Sequence, residues 1–201
     1  MEGLIVSHGG SADRDERDVY SYIRCKQHRA FLDETWIMPE QYRVRIADDS
    51  TVFASAHFIT YDRDTCEPLH GHNFRVAVTV TGPLDENHYV VDFVALKKIV
   101  MELLAELDHR VLLPTKHEQI RVETLGEEVE VFFPGRRWLF PRSECALLPL
   151  ANTTVELLAR HLASGLVDRL APLTGGGRSD VTVEVEESPG WSAACRLSTG
   201  C

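Results

Sequence analysis

The chain has 201 residues, 44% of them hydrophobic and 26% charged, which fits one domain, or one domain with additions, around a proper core. Its formal net charge of −10 argues against general affinity for nucleic acid, because phosphate binding needs Lys and Arg to displace counterions, although a few local basic groups would serve an anionic small molecule. No apolar run approaches the ~18–20 residues of a membrane span, and the start, MEGLIVSHGGSADRDERDVY, lacks the basic opening and apolar stretch of a signal peptide, so a cytoplasmic location is the expectation.

Residues 1–40 are irregular and charge-rich and read as an N-terminal extension. Cys25 and His28 stand there as CKQH, too few ligand types for a metal site on their own. From Tyr42 the pattern becomes alternating and β-branched, predicting strands over about 42–47 and 51–60 with a DDS turn between them. HNFRVAVTVTGPL predicts a strand over about 70–82, with Asn73, Arg75, Ala77 and Thr79 on one face and His72, Phe74, Val76, Val78 and Val80 on the other. Asp92 stands at an N-cap position before a helix whose buried stripe is Phe93, Leu96, Val100, Leu103 and Leu107.

Residues 114–150, approximately, interrupt this plan. EQIRVET, EEVEVFF and RRWLF read as short strands between LG and PG turns, an inserted β-hairpin or meander. A second helix starts at Thr153; Thr153 and Glu156 fit a capping box, and Val155, Leu158, Leu162 and Leu166 form its apolar stripe. Gly175–Gly177 break the chain before a last alternating strand, VTVEVEE, and residues 196–201 read as a tail. Grouped strands and helices predict an α+β fold: an antiparallel sheet with two helices on one face.

The chemistry concentrates in CEPLHGHNF, residues 66–74. Alternation lets His70 and His72 share a face, and Gly71 between them permits close approach of another backbone. His57 on the preceding strand would join them in a hairpin-like pairing. Three neutral imidazoles leave one tetrahedral position open, as at a catalytic zinc; the alternative is half-buried histidines with hydrogen-bond partners. His8, His88, His117 and His161 lack such company and read as surface residues.

Cys66 stands four residues before His70. Near a cation it would form a thiolate more easily and serve as base or nucleophile; otherwise it is a plain buried cysteine. The cysteines number five, with no CxxC pair, and read as free thiols. Asp108-His109 is either a proton-transfer pair or a helix C-terminal cap. In VTVEVEES the row Val181, Val183, Val185 continues to Glu187, a carboxylate pointing toward the core and in need of a partner; Glu186 faces the other way and reads as a solvated charge.

Taken together, FASAHF, CEPLHGHNF, VVDFVALK, LDHRVL, NTTVELLA and VEVEES resemble, in order, the 6-pyruvoyltetrahydropterin synthase and 6-carboxytetrahydropterin synthase (QueD) family. The resemblance runs over about 42–113 and 152–191. It implies the T-fold, with subunits forming a barrel around a tunnel, usually as a homohexamer. It also implies Zn2+ on His57, His70 and His72, with Cys66, Asp108 and His109 as catalytic residues. Glu187 would anchor a small-molecule pterin, and Thr154 and Glu156 would border its pocket; Glu156 keeps its capping reading beside that. The three residues between thiol and HGH resemble the QueD branch. That branch converts 7,8-dihydroneopterin triphosphate to 6-carboxytetrahydropterin, releasing acetaldehyde and triphosphate, on the route to queuosine. A 6-pyruvoyltetrahydropterin synthase, a related dihydropterin side-chain enzyme and a non-catalytic pterin-binding protein are the alternatives. Arg75, Lys97 and Lys98 are candidates for the triphosphate. The N-terminal extension, the insertion and Thr153 in place of the family's proline are departures from the pattern.

Overall fold

The computed structural model describes residues 40–62, 65–170 and 178–199. Most of the N-terminal extension, with His8, Cys25 and His28, lies outside them, as do the triple glycine and residues 200–201. The elements are β1 (Tyr42–Ile46), β2 (Val52–His57), β3 (Thr60–Tyr61), β4 (Thr65–Cys66), β5 (His70–Gly82), α1 (Phe93–Ala105) and β6 (Arg110–Pro114). There follow β7 (Arg121–Leu125), β8 (Glu128–Phe133), β9 (Arg136–Pro141), β10 (Cys145–Leu148), α2 (Val155–Leu170), β11 (Ser179–Ser188) and β12 (Trp191–Thr199).

The fold is α+β, built on a seven-stranded sheet of order β10-β6-β2-β5-β11-β12, with β1 also paired to β5. β5 is long enough to hold β2 along its first half and β1 along its second, on the same edge. Alternation decides which side is dry. Phe53, Phe74, Val76, Val78, Val80, Val181, Val183 and Val185 are all buried, while the residues between them face away. Both helices pack on that apolar face. α1 contributes Leu96, Val100, Leu103 and Leu104; α2 contributes Leu158, Ala159, Leu162, Ala163, Leu166 and Leu170. Each fully buried leucine stabilises the fold by about 1.5–3 kcal/mol relative to exposure.

Asp92 caps α1 as its position predicts, its carboxylate accepting from the Val94 and Ala95 amides at 2.6 and 3.1 Å. Phe93, expected in the buried stripe, is 57% exposed, because it stands at the first helical position, beyond the reach of the sheet.

Three differences from expectation have physical reasons. The sheet is not wholly antiparallel: β6 runs parallel to β2, and β10 parallel to β6. Parallel neighbours need a crossover of a dozen or more residues, and the insertion supplies the one from β6 to β10. The insertion is a three-stranded antiparallel meander, β7-β8-β9, whose tight turns use Gly126 and Gly135 at positive φ. Second, residues 196–199 are strand rather than tail, since β12 pairs with β11 through Thr199. Its small and polar residues, SAACRLST, carry too weak an alternation to announce an edge strand. Third, α2 begins at Val155, and no capping box forms. The Thr153 hydroxyl is fully buried and donates instead to the Phe58 carbonyl at 3.0 Å.

Candidate metal centre and active site

β2 and β5 pair so that His57 stands directly opposite His70. The approach is close: a Cβ on Gly71 would lie 3.3 Å from the Ser55 carbonyl oxygen, so a glycine there keeps the strands together. His72 follows on the same face, and the three imidazole centroids lie 4.8–5.4 Å apart.

Glu187 joins them from β11. The β11–β12 ladder shifts register between Glu186 and Ser188, leaving Glu187 at an irregularity of the kind that re-aims a side chain. Its Oε1 lies 3.0 Å from His57 Nε2 and 3.5 Å from His72 Nε2. Glu186 turns the other way and accepts from the Gly190 amide in the β11–β12 turn. Ligand atoms of His57, His70, His72 and Glu187 lie within 4.8 Å of one another, forming a group that could hold a metal ion.

The hydrogen bonds around this group decide what it can bind. His57 Nδ1 donates to the Thr153 carbonyl at 3.0 Å, and His70 Nδ1 to the Pro68 carbonyl at 2.9 Å. Each ring is thereby held in the tautomer that leaves Nε2 a lone pair, as ligating histidines require. His57 is fully buried, and burial pushes its imidazole below the ordinary value, toward the neutral form. Among the described residues its Nε2 is the buried side-chain atom without a hydrogen-bond partner. The Glu187 oxygen facing it is an acceptor as well, so two lone pairs oppose each other at 3.0 Å. A cation on the three imidazoles would take up the His57 lone pair and offset the charge of the carboxylate beside it, and such a set of donors suits one.

The other predicted residues are not part of this group, although His109 lines one cavity together with His72. Asp108 and His109 form a pair of their own, with His109 Nδ1 at 2.8 Å from Asp108 Oδ2. Asp108 Oδ1 accepts from the Ala54 amide at 2.8 Å, and the His109 amide donates to the Ala54 carbonyl at 2.7 Å. The Ala54 N–H, with the neighbouring His109, holds the Asp108 carboxyl below the usual carboxylate range. His109 has φ +56°, a left-handed conformation that non-glycine residues adopt at some cost, and its side chain is 82% exposed. It borders an open cavity of about 460 Å3, with Ala54, Ala56, Gly71 and Asn73 of the sheet face turned away from the helices. The Asp108 amide also donates to the Leu104 carbonyl at 2.9 Å, so the pair closes the end of α1 as well.

Cys66 is buried, and its neighbours are apolar: Phe58, Leu113, Ile120, Val129 and Phe133 belong to the same cluster. Burial pushes its thiol above the ordinary value. Thr154 is half-buried just ahead of α2, where its carbonyl accepts the first helical bond, and Glu156 is exposed in the first turn. Lys97 is tied to Asp48 at 2.8 Å and Arg75 lies 3.8 Å from Asp49, so acidic neighbours already take up part of their charge. His117, expected at the surface, is half-buried and bonded to Thr60 at 2.7 Å.

A family model described as 6-pyruvoyl tetrahydropterin synthase matches residues 47–197. The chain belongs to the 6-pyruvoyl tetrahydropterin synthase family. A protein of Methanocaldococcus jannaschii, provisionally named 6-carboxy-5,6,7,8-tetrahydropterin synthase, is 34% identical over 145 residues, 72% of this chain and 88% of that protein. A shorter match, 43% identical over 58 residues (29% of this chain, 48% of the other), is to a dihydroneopterin monophosphate aldolase of Pyrococcus furiosus. Among solved structures, a 6-pyruvoyl tetrahydropterin synthase of Plasmodium falciparum superposes with a TM-score of 0.72 at 27% identity, covering 78% of this chain and 98% of that one. The architecture is thus the T-fold, carrying the insertion β7–β9.

The sequence did not reveal what orients the metal group. The carbonyls of Thr153 and Pro68 are backbone atoms, invisible in residue type. The irregularity that aims Glu187 had one signal, the SPG turn directly after it.

Proposed function

We propose that the protein is a zinc-dependent pterin lyase of the 6-carboxytetrahydropterin synthase type. Its reaction would consume 7,8-dihydroneopterin triphosphate and one water, and release 6-carboxytetrahydropterin, acetaldehyde and triphosphate. It would work in the cytoplasm on the route to queuosine. The observation that carries this reading is the His57–His70–His72 group, whose orphaned Nε2 and facing carboxylate call for a cation, in a chain of this family.

His57, His70 and His72 would hold the zinc. When bound, it would supply Lewis acidity and a template that make the substrate's side-chain hydroxyls more acidic. Glu187, with its second oxygen free of the histidines, would hold the amino and N–H edge of the pterin ring. Asp108 fixes the His109 tautomer with Nε2 as acceptor, so His109 can take a proton from a substrate on the open side. Cys66, in its apolar surroundings, would move protons between ring and side chain. Thr154 and Glu156 would border the ring.

Further copies of the chain would close the barrel as a homohexamer. Tyr89, Phe93, Val94 and Trp191 are exposed and would offer apolar surface for such contacts to bury.

The aldolase name of the Pyrococcus furiosus relative favours a second reading, a dihydropterin enzyme that cleaves a different side chain. Product analysis separates these. Acetaldehyde and a 6-carboxypterin from dihydroneopterin triphosphate support the first. A retained three-carbon side chain makes it a pyruvoyl synthase. Retro-aldol cleavage confined to the monophosphate makes it an aldolase.

A further inference from the structure

The insertion does not merely decorate the fold. Its apolar side, with Val129, Val131 and Phe133, builds a second core separate from the one under the helices, and Cys66 is part of that second core. Trp138 of β9 stacks on the fully buried Phe58 at 4.7 Å and 12°. Phe58 directly follows the ligand His57. The thiol is therefore covered from the insertion side.

Two polar contacts tie the same hairpin down. β3 and β4 pair so that Thr60 lies opposite Cys66. The Gln119 and Ile120 amides both donate to His117 Nδ1 at 2.9 Å. His117 is thus the Nε2–H tautomer, and it donates to the Thr60 hydroxyl at 2.7 Å. On the other side of the thiol, Arg136 Nη1 donates to the Glu67 carbonyl at 2.7 Å. The Glu67 amide itself donates to Ile59 at 2.9 Å, closing the hairpin. The residue opposite Cys66 and the residue after it are both held by the insertion. Three residues later comes His70, whose ring is set by the Pro68 carbonyl of the same loop.

We propose that the insertion between β6 and β10 is a clamp on the thiol loop, with Arg136, His117 and Trp138 as positioning residues that hold Cys66 covered and in register with the histidines. The clamp rests on geometry alone; its importance for turnover rests on the reading of Cys66 as the working thiol. None of the three residues belongs to the histidine group or to the Asp108–His109 pair.

The test is the rate of Cys66 alkylation by iodoacetamide in the full-length, zinc-loaded protein. It is read by peptide mass spectrometry with Cys195, on β12 and packed against the other core, as internal reference. Opening of a locally held segment sets such a rate. Arg136→Met should raise it several-fold and Trp138→Ala by about tenfold, with the Cys195 rate and zinc content unchanged. Arg136→Lys, which keeps the charge and one donor, should restore most of the protection. Where Trp138→Ala fails to fold, the Arg136→Met and Arg136→Lys pair carries the test alone. A wild-type Cys66 rate in folded Arg136→Met overturns the clamp. Full turnover by Cys66→Ala overturns the catalytic reading of the thiol instead, and leaves the clamp to stand or fall on the alkylation rates.

Discussion

Two histidine sites flank β2, and they are opposites. On the helix side, His57 is fully buried, with one nitrogen fixed by a carbonyl and the other facing a carboxylate lone pair. At the β6 end, His109 is exposed, strained and already bonded to Asp108. A buried group with an unmatched lone pair costs free energy until an ion or proton satisfies it. An exposed and satisfied pair asks for no ion and is free to meet a substrate. On the proposed reading the contrast divides the labour of the site: the first region would hold the ion, and the second would move protons.

The largest effects should come from groups assigned to chemistry rather than to holding. Cys66→Ala should lower turnover of dihydroneopterin triphosphate by about 100-fold or more while bound metal stays stoichiometric. Undiminished turnover removes the thiol from the mechanism. Glu187→Gln sharpens the boundary between the two regions, because the carboxylate lies against the histidines and is assigned to the ring. Turnover should fall by about 10–100-fold, with metal retained. Loss of metal would reassign Glu187 as the fourth ligand.

Asp108→Asn should lower turnover by about tenfold or more through loss of the tautomer of His109. It also carries a stability signature. The folded carboxyl sits below its unfolded value, so its contribution is fully present above about pH 4 and is lost as pH falls through the lowered folded value. Thermal melts of the Asn variant between pH 2 and 5 should therefore be flatter than wild type, and identical slopes would contradict the assignment. The smallest effect is expected from Thr153→Val. It removes one buried hydrogen bond to Phe58 and should cost about 1 kcal/mol in denaturant unfolding, with the His57–Thr153 carbonyl contact untouched.

Much of this molecule was legible in its sequence where a short period met strong chemistry. Alternation put His70 and His72 on one face and ended the valine row at Glu187. Helical spacing found the buried stripes of α1 and α2. It failed at Phe93 because periodicity does not say where the sheet stops. Edge strand β12 was missed for want of apolar alternation, and parallel β6 and β10 because pairing between distant segments leaves no local mark. His117 and Arg136 read as ordinary polar residues, since only the folded chain brings the insertion against Thr60 and Glu67. The same reason hid the carbonyls that orient His57 and His70.

Metal analysis decides whether the three histidines hold an ion. Wild-type protein should carry one zinc per chain, and a folded His70→Ala, His72→Ala double variant should carry none. Full metal retention in that variant would contradict the account.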